Sequence, residues 1–130
     1  MSYPSIKQVI TNAEVDIESS SEKELNEVLF SAFQKDLPEG VSYILKIAKE
    51  VKSGNNRVLK IEDPNSKLGK QLIRLVGTDI AKGIMEEKTG VALGMYNCCG
   101  LVAAPSKKLL LMNAIEQIKL QNGVFASADC

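Results

Sequence analysis

The chain has 130 residues, a length that suits one domain and lets it bury one ordinary hydrophobic core. Sixteen lysines and arginines balance sixteen aspartates and glutamates, so no net field draws the protein to nucleic acid. Apolar residues at 45% exclude a disordered chain, and the absence of histidine removes the commonest general base and metal ligand.

Residues 4–18 carry two patterns. Ile6, Val9 and Ile10 fit helical spacing after Pro4, while Val15 and Ile17 alternate with Glu14, Asp16 and Glu18 as a half-buried strand would. Both readings stay open. The clearest helix start follows, where Ser21 and Glu24 form a capping box. Leu25, Val28, Leu29, Ala32 and Phe33 then line one face, and Asp36-Leu37-Pro38-Glu39-Gly40 ends that helix. From Val41 the period changes to two: Val41, Tyr43, Leu45 and Ile47 alternate with Ser42, Ile44, Lys46 and Ala48. A turn at Lys52 to Asn56 and a strand from Arg57 to Glu62 complete an expected antiparallel hairpin, cut off by Asp63-Pro64-Asn65-Ser66.

Over residues 67–88, Leu68, Leu72, Val76, Ile80 and Ile84 form a helical stripe, opposed by Gly69, Gly77 and Gly83. Periodicity favours helix over two short strands divided at Gly77-Thr78-Asp79. Val91, Leu93 and Met95 then alternate as a strand, in which Gly94 suggests a bulge or a close backbone approach. A loop is expected through Pro105. Ser106 caps a final helix from about Lys107, with Leu111, Ile115 and Ile118 facing the core and Asn122-Gly123 closing it. Val124 to Cys130 are expected to fray. Neither an internal repeat nor a domain boundary is visible, so residues 1–130 read as a single domain.

The longest apolar runs fall far short of the ~20 residues of a membrane span, and no signal peptide is visible at the N-terminus. Three cysteines, two of them the vicinal Cys98 and Cys99, suit a reducing compartment, and a cytoplasmic location is expected. Cys98 and Cys99 read as buried small hydrophobes at a strand end. No zinc-ligand spacing and no phosphate-binding glycine loop occurs. The expectation is therefore a protein that is not an enzyme, needs no metal or cofactor, and acts by binding a partner.

Lys107 and Lys108 fall in the first turn of the last helix, where the macrodipole disfavours cations. The bland reading is a solvated pair; the sharper one is a surface for an acidic partner. Leu109 to Met112 present apolar side chains all round that helix, which suits core packing or a partner groove.

From Lys88 to Phe125 the sequence resembles the C-terminal half of profilins. Lys88-Thr89-Gly90-Val91-Ala92-Leu93, then Gly94-Met95-Tyr96-Asn97, the proline before the last helix, Asn113 to Ile118 and Asn122-Gly123-Val124-Phe125 carry the similarity. Met1-Ser2-Tyr3, Phe30 to Lys35 and Arg57 to Ile61 are weaker echoes. The resemblance is to a shortened or divergent member, since only about twenty residues precede the Ser21 helix. It implies an α+β fold with a central antiparallel sheet flanked by helices, and N- and C-terminal regions packed near each other. Residues 67–88 would then be strands.

The resemblance also implies binding of monomeric actin, and thereby regulation of its polymerisation, through Arg57, Lys60, Lys88, Gly100, Lys107, Lys108 and Leu111. Acidic phospholipids are a further partner it suggests. The family's proline-peptide groove is reduced here to Tyr3 and Phe125, so proline-rich binding is expected to be weak or lost. The alternative is a non-catalytic small-ligand-binding or regulatory α/β domain, capable of oligomerising, with residues 67–88 helical on the sheet.

Overall fold

The computed structural model describes residues 4–14, 18–54, 56–96 and 100–120, with backbone only at 96, 113 and 117–120. Two capping boxes open the chain. Ser5 accepts the Gln8 amide and begins α1 (Ile6–Asn12), and Ser21 accepts the Glu24 amide and begins α2 (Glu22–Asp36). Of the two readings of residues 4–18 the helical one holds over Ile6–Asn12, and the strand reading at Val15 and Ile17 lies outside the described residues. In α2 only Phe33 of the expected stripe is fully buried, while Val28 is exposed.

The expected hairpin over residues 41–62 is not formed. Pro38 does not end helical structure; it opens α3 (Pro38–Gly54). Proline is well suited to a first helical turn, because the amide it lacks would have no partner there anyway. The period-two reading of Val41 to Ala48 coexisted with a helical one. Val41, Ile44, Ile47, Ala48 and Val51 recur at three- and four-residue steps, and these are the buried residues. The helix packs so closely on its neighbour that a side-chain carbon at Gly40 would lie 2.8 Å from Leu75 Cδ1.

Strand β1 (Val58–Ile61) forms as expected but pairs elsewhere. Residues 67–88 are helical, in two pieces: α4 (Lys67–Val76) and α5 (Asp79–Thr89), broken at Gly77-Thr78. Ser66 caps α4 by accepting the Gly69 amide at 2.9 Å. Gly90 ends α5 in the left-handed conformation, φ 75°, which glycine adopts without steric cost. The profilin-derived expectation of strands here is therefore not met.

Strand β2 (Ala92–Tyr96) was anticipated; β3 (Gly100–Ala104), expected as a loop, is the middle strand. The sheet order is β1-β3-β2, antiparallel throughout, with Leu59 opposite Val102 and Gly94 opposite Val102 on the other side. Every β3 residue is buried, because the sheet is covered on both faces. On its inner face Leu93, Leu101 and Ala103 join a single core with side chains from α1 to α5. On its outer face lies α6 (Lys107–Leu120), started by Ser106, which accepts the Leu109 amide at 3.2 Å.

The result is an α+β domain of six helices and three strands among the described residues, with a central antiparallel sheet between helices. The terminal helices pack on different partners, α1 on α2 and α6 on β2 and β3. The Asn122-Gly123 cap and residues 124–130 lie outside the described residues. So do Cys98 and Cys99.

Candidate functional site

The register of the sheet decides what α6 meets. Gly94, Val102 and Leu59 share the outer face, and a carbon built on Gly94 would stand 3.5 Å from Leu110. The glycine in β2 thus marks the close approach that its place in an alternating strand suggested. Among the described α6 side chains Leu110 stands closest to Gly94 of the sheet. Leu111, 60% exposed, and Ile115, 45% exposed, do not face the core as expected, and Ile118 lies outside the described side chains.

Beside Leu110 a cleft of about 300 Å³ opens between α6, the edge strand β2 and α5. Gly94, Met95, Val102, Leu110, Leu111 and Ala114 make its apolar walls, and Lys82 and Lys107 its polar ones. That volume is at the small end of ligand-binding clefts, and a mostly apolar lining with a few polar groups is their usual make-up. On the opposite flank of α6 a second recess of about 220 Å³ is lined by Asn56, Arg57, Leu109, Met112 and Glu116.

One carboxylate organises the cleft's entrance. Glu86 on α5 accepts the Leu93 amide at 2.8 Å and the Lys107 ammonium at 3.3 Å, both on Oε2. It therefore satisfies an amide on the open edge of β2 and ties down the first turn of α6. Lys107 reads from the sequence either as solvated or as facing an acidic partner, and the structure gives it a carboxylate of its own chain.

Three of the other residues assigned by resemblance, Arg57, Lys60 and Lys88, are similarly engaged, and the set is not gathered on one face. Arg57 pairs with Glu116 of α6 at 3.9 Å, and Lys60, on the inner face of β1, pairs with Glu50 of α3 at 3.9 Å. Lys88 pairs with Glu27 of α2 and lies 5.5 Å from the centre of the Phe30 ring. Gly100 is buried at the start of β3 between Ile61 and Tyr96. Only Lys107 and Leu111 of the set line the cleft, with Lys108 exposed beside them. Tyr3 and Phe125 lie outside the described residues.

Among the described residues three titrating groups outside the cleft are perturbed, the first being Glu24, whose carboxyl is held low by hydrogen bonds from the Ser21 backbone and side chain. The hydrogen bond to Lys88 and its charge hold the Glu27 carboxyl below the usual value. Tyr43 donates to Glu62 Oε2 at 2.5 Å; burial, then that carboxylate, push its phenol up to about 12. Among the described residues no group of three potential metal ligands occurs, and no helix is long and apolar enough to cross a membrane.

Sequence reasoning missed Lys82, Val102, Leu110, Ala114 and Glu86. Only a model of where α6 crosses the sheet could join them, since Glu86 and Lys107 are 21 residues apart. Fold and cleft together define an α+β domain with a small apolar cavity under its last helix. Compared with known protein families, curated proteins and solved structures, the chain shows no significant match.

Proposed function

We propose that the chain is a non-catalytic binding domain that takes a small, largely apolar ligand in the cleft between α6 and the sheet. The observation that carries this reading is the cleft itself: about 300 Å³ bounded by Gly94, Val102 and Leu110. Filling it removes apolar surface from water, the usual source of small-ligand affinity. Titration with octanol, followed by amide NMR, is expected to shift Lys82, Gly94, Val102, Leu110 and Ala114 together. Ala114 is exposed at the cleft wall, so Ala114→Trp should fill the space and abolish those shifts without unfolding the domain. Shifts scattered over the surface, or unchanged by Ala114→Trp, refute the proposal.

A second reading, monomeric actin as partner of a profilin-like domain, is supported by the resemblance across residues 88–125. It is favoured further by the joint exposure of Lys108 and Leu111 on the first two turns of α6. It has to rely on those two, because carboxylates of the chain engage Arg57, Lys60, Lys88 and Lys107. Lys108→Glu is expected to weaken retention on immobilised monomeric actin while leaving the melting temperature in place. Equal retention of the two proteins counts against actin.

A further inference from the structure

The rim of the cleft is cationic where its walls are apolar. Among the described residues Lys82 has no ion-pair partner. Lys107 has Glu86, but across 3.3 Å and with 68% of its side chain exposed, which makes a weak, solvated pair. Glu86 would not be orphaned by losing it, since the same carboxylate oxygen already accepts the Leu93 amide. Two ammonium groups thus line the cleft beside the positive end of α6, and of the two only Lys107 is paired with a carboxylate. That excess of positive charge is complementary to an anion.

We infer that the ligand is a medium-chain amphiphile with one carboxylate head, held by Lys82 and Lys107 while its alkyl tail lies along Gly94, Val102 and Leu110. This rests on the cleft being the binding site. The cavity's modest volume sets the tail length, because a long chain would leave much of itself in water. The head takes over the Lys107 ammonium from Glu86, whose carboxylate, on a side chain 20% exposed, keeps the Leu93 amide. No proton is transferred, and no bond other than hydrogen bonds is made or broken.

The test compares three probes with the same tail: octanoate, octanol and octylamine, titrated at low salt by calorimetry and amide NMR. Octanoate is expected to bind about three- to tenfold more tightly than octanol, two solvated ion pairs being modest contributors. Lys82→Ala and Lys107→Ala, both in the cleft wall, should each lower octanoate affinity more than octanol affinity and so shrink that preference. Glu86→Gln keeps an acceptor for the Leu93 amide but frees Lys107, so it should tighten octanoate alone by about two- to threefold. Salt should erode the preference and not the octanol affinity.

Equal affinity for octanoate and octanol, or tighter binding of octylamine, overturns the anionic head and leaves the apolar cleft standing. Failure of all three probes to bind overturns both.

Discussion

Two glycine-to-alanine substitutions in neighbouring helices should move stability in opposite directions. At Gly83, in the exposed interior of α5, a side-chain carbon meets nothing within 4 Å. Alanine there gains helix propensity alone, about 1 kcal/mol. At Gly69, in the first turn of α4, the same carbon would sit 2.0 Å from the Asp63 carbonyl oxygen. Carbon and oxygen normally meet no closer than about 3.3 Å, so the backbone must move. Asp63 O cannot retreat freely, because it accepts the Ser66 hydroxyl at 2.7 Å and the Ser66 amide at 3.0 Å. The Ser66 hydroxyl in turn caps the Gly69 amide. Overpacking costs about 1–3 kcal/mol and the disrupted cap and turn about 1–2 more, against the gain of about 1 from alanine. The net is a loss of roughly 1–4 kcal/mol for Gly69→Ala. Urea unfolding with an unchanged slope measures both. At this chain length about 3–5 °C accompanies each kcal/mol, so the two melting temperatures should separate by roughly 6–25 °C. Equal signs for the two substitutions, or a Gly69→Ala within about 0.5 kcal/mol of the parent, refute the packing argument.

The buried Gln71 accepts the Gly40 amide at 2.7 Å, capping the start of α3 from a different helix, while its Nε2 has no partner. Gln71→Met removes both the bond and the orphaned donor. It also orphans the buried Gly40 amide, so it should cost about 1–3 kcal/mol by urea unfolding. Tyr43 keeps its proton in the folded state up to about pH 12, whereas the unfolded phenol releases it near 10. Stability from this group is complete below pH 10 and disappears between 10 and 12, and Tyr43→Phe should flatten that limb of the stability curve. For Glu27 the sign is reversed. Its carboxyl is held low by Lys88, so its contribution is present above the ordinary carboxylate value and is lost as pH falls through the folded one. Lys88→Met should bring the Glu27 carboxyl back to an ordinary titration by NMR.

How far the sequence spoke for the structure varies residue by residue. Ser21 and Glu24 sit three apart and serve each other, so a local signal sufficed for α2. In α3, Val41 to Ile47 satisfied two periods at once, because a helix buried over a wide arc also places apolar residues at alternate positions. Pro38 then tipped the reading the wrong way. Leu101 to Ala104 had no period at all, since a middle strand covered on both faces needs none. Gly69, Gly77 and Gly83 weighed against a helix, and each has a different reason to be there. Gly69 admits a carbonyl, Gly77 stands at the break between α4 and α5, and Gly83 faces open space. Lys107 drew notice as a cation at a helix start, and Gly94 as a point of close approach. That these two belong to one cleft depended on α6 crossing β2, a tertiary fact.

That crossing has a consequence for the stability of α6. Among its described side chains Leu110 makes the close approach to the sheet, at Gly94, with recesses of about 300 and 220 Å³ on its two flanks. Its other holds are exposed ion pairs, Lys107 with Glu86 near its start and Arg57 with Glu116 two turns on. Such pairs contribute little in water. By contrast α3 buries Val41, Ile44, Ile47, Ala48 and Val51 in the main core. Amides of α6 are accordingly expected to exchange hydrogen through a local opening well below the global unfolding free energy, and those of α3 only on global unfolding. Added octanoate should protect α6 selectively, because a ligand lodged against Leu110 is lost when the helix lifts. Protection of α6 equal to that of α3 without ligand would mean that the helix is packed rather than propped. A cleft could not then open beneath it.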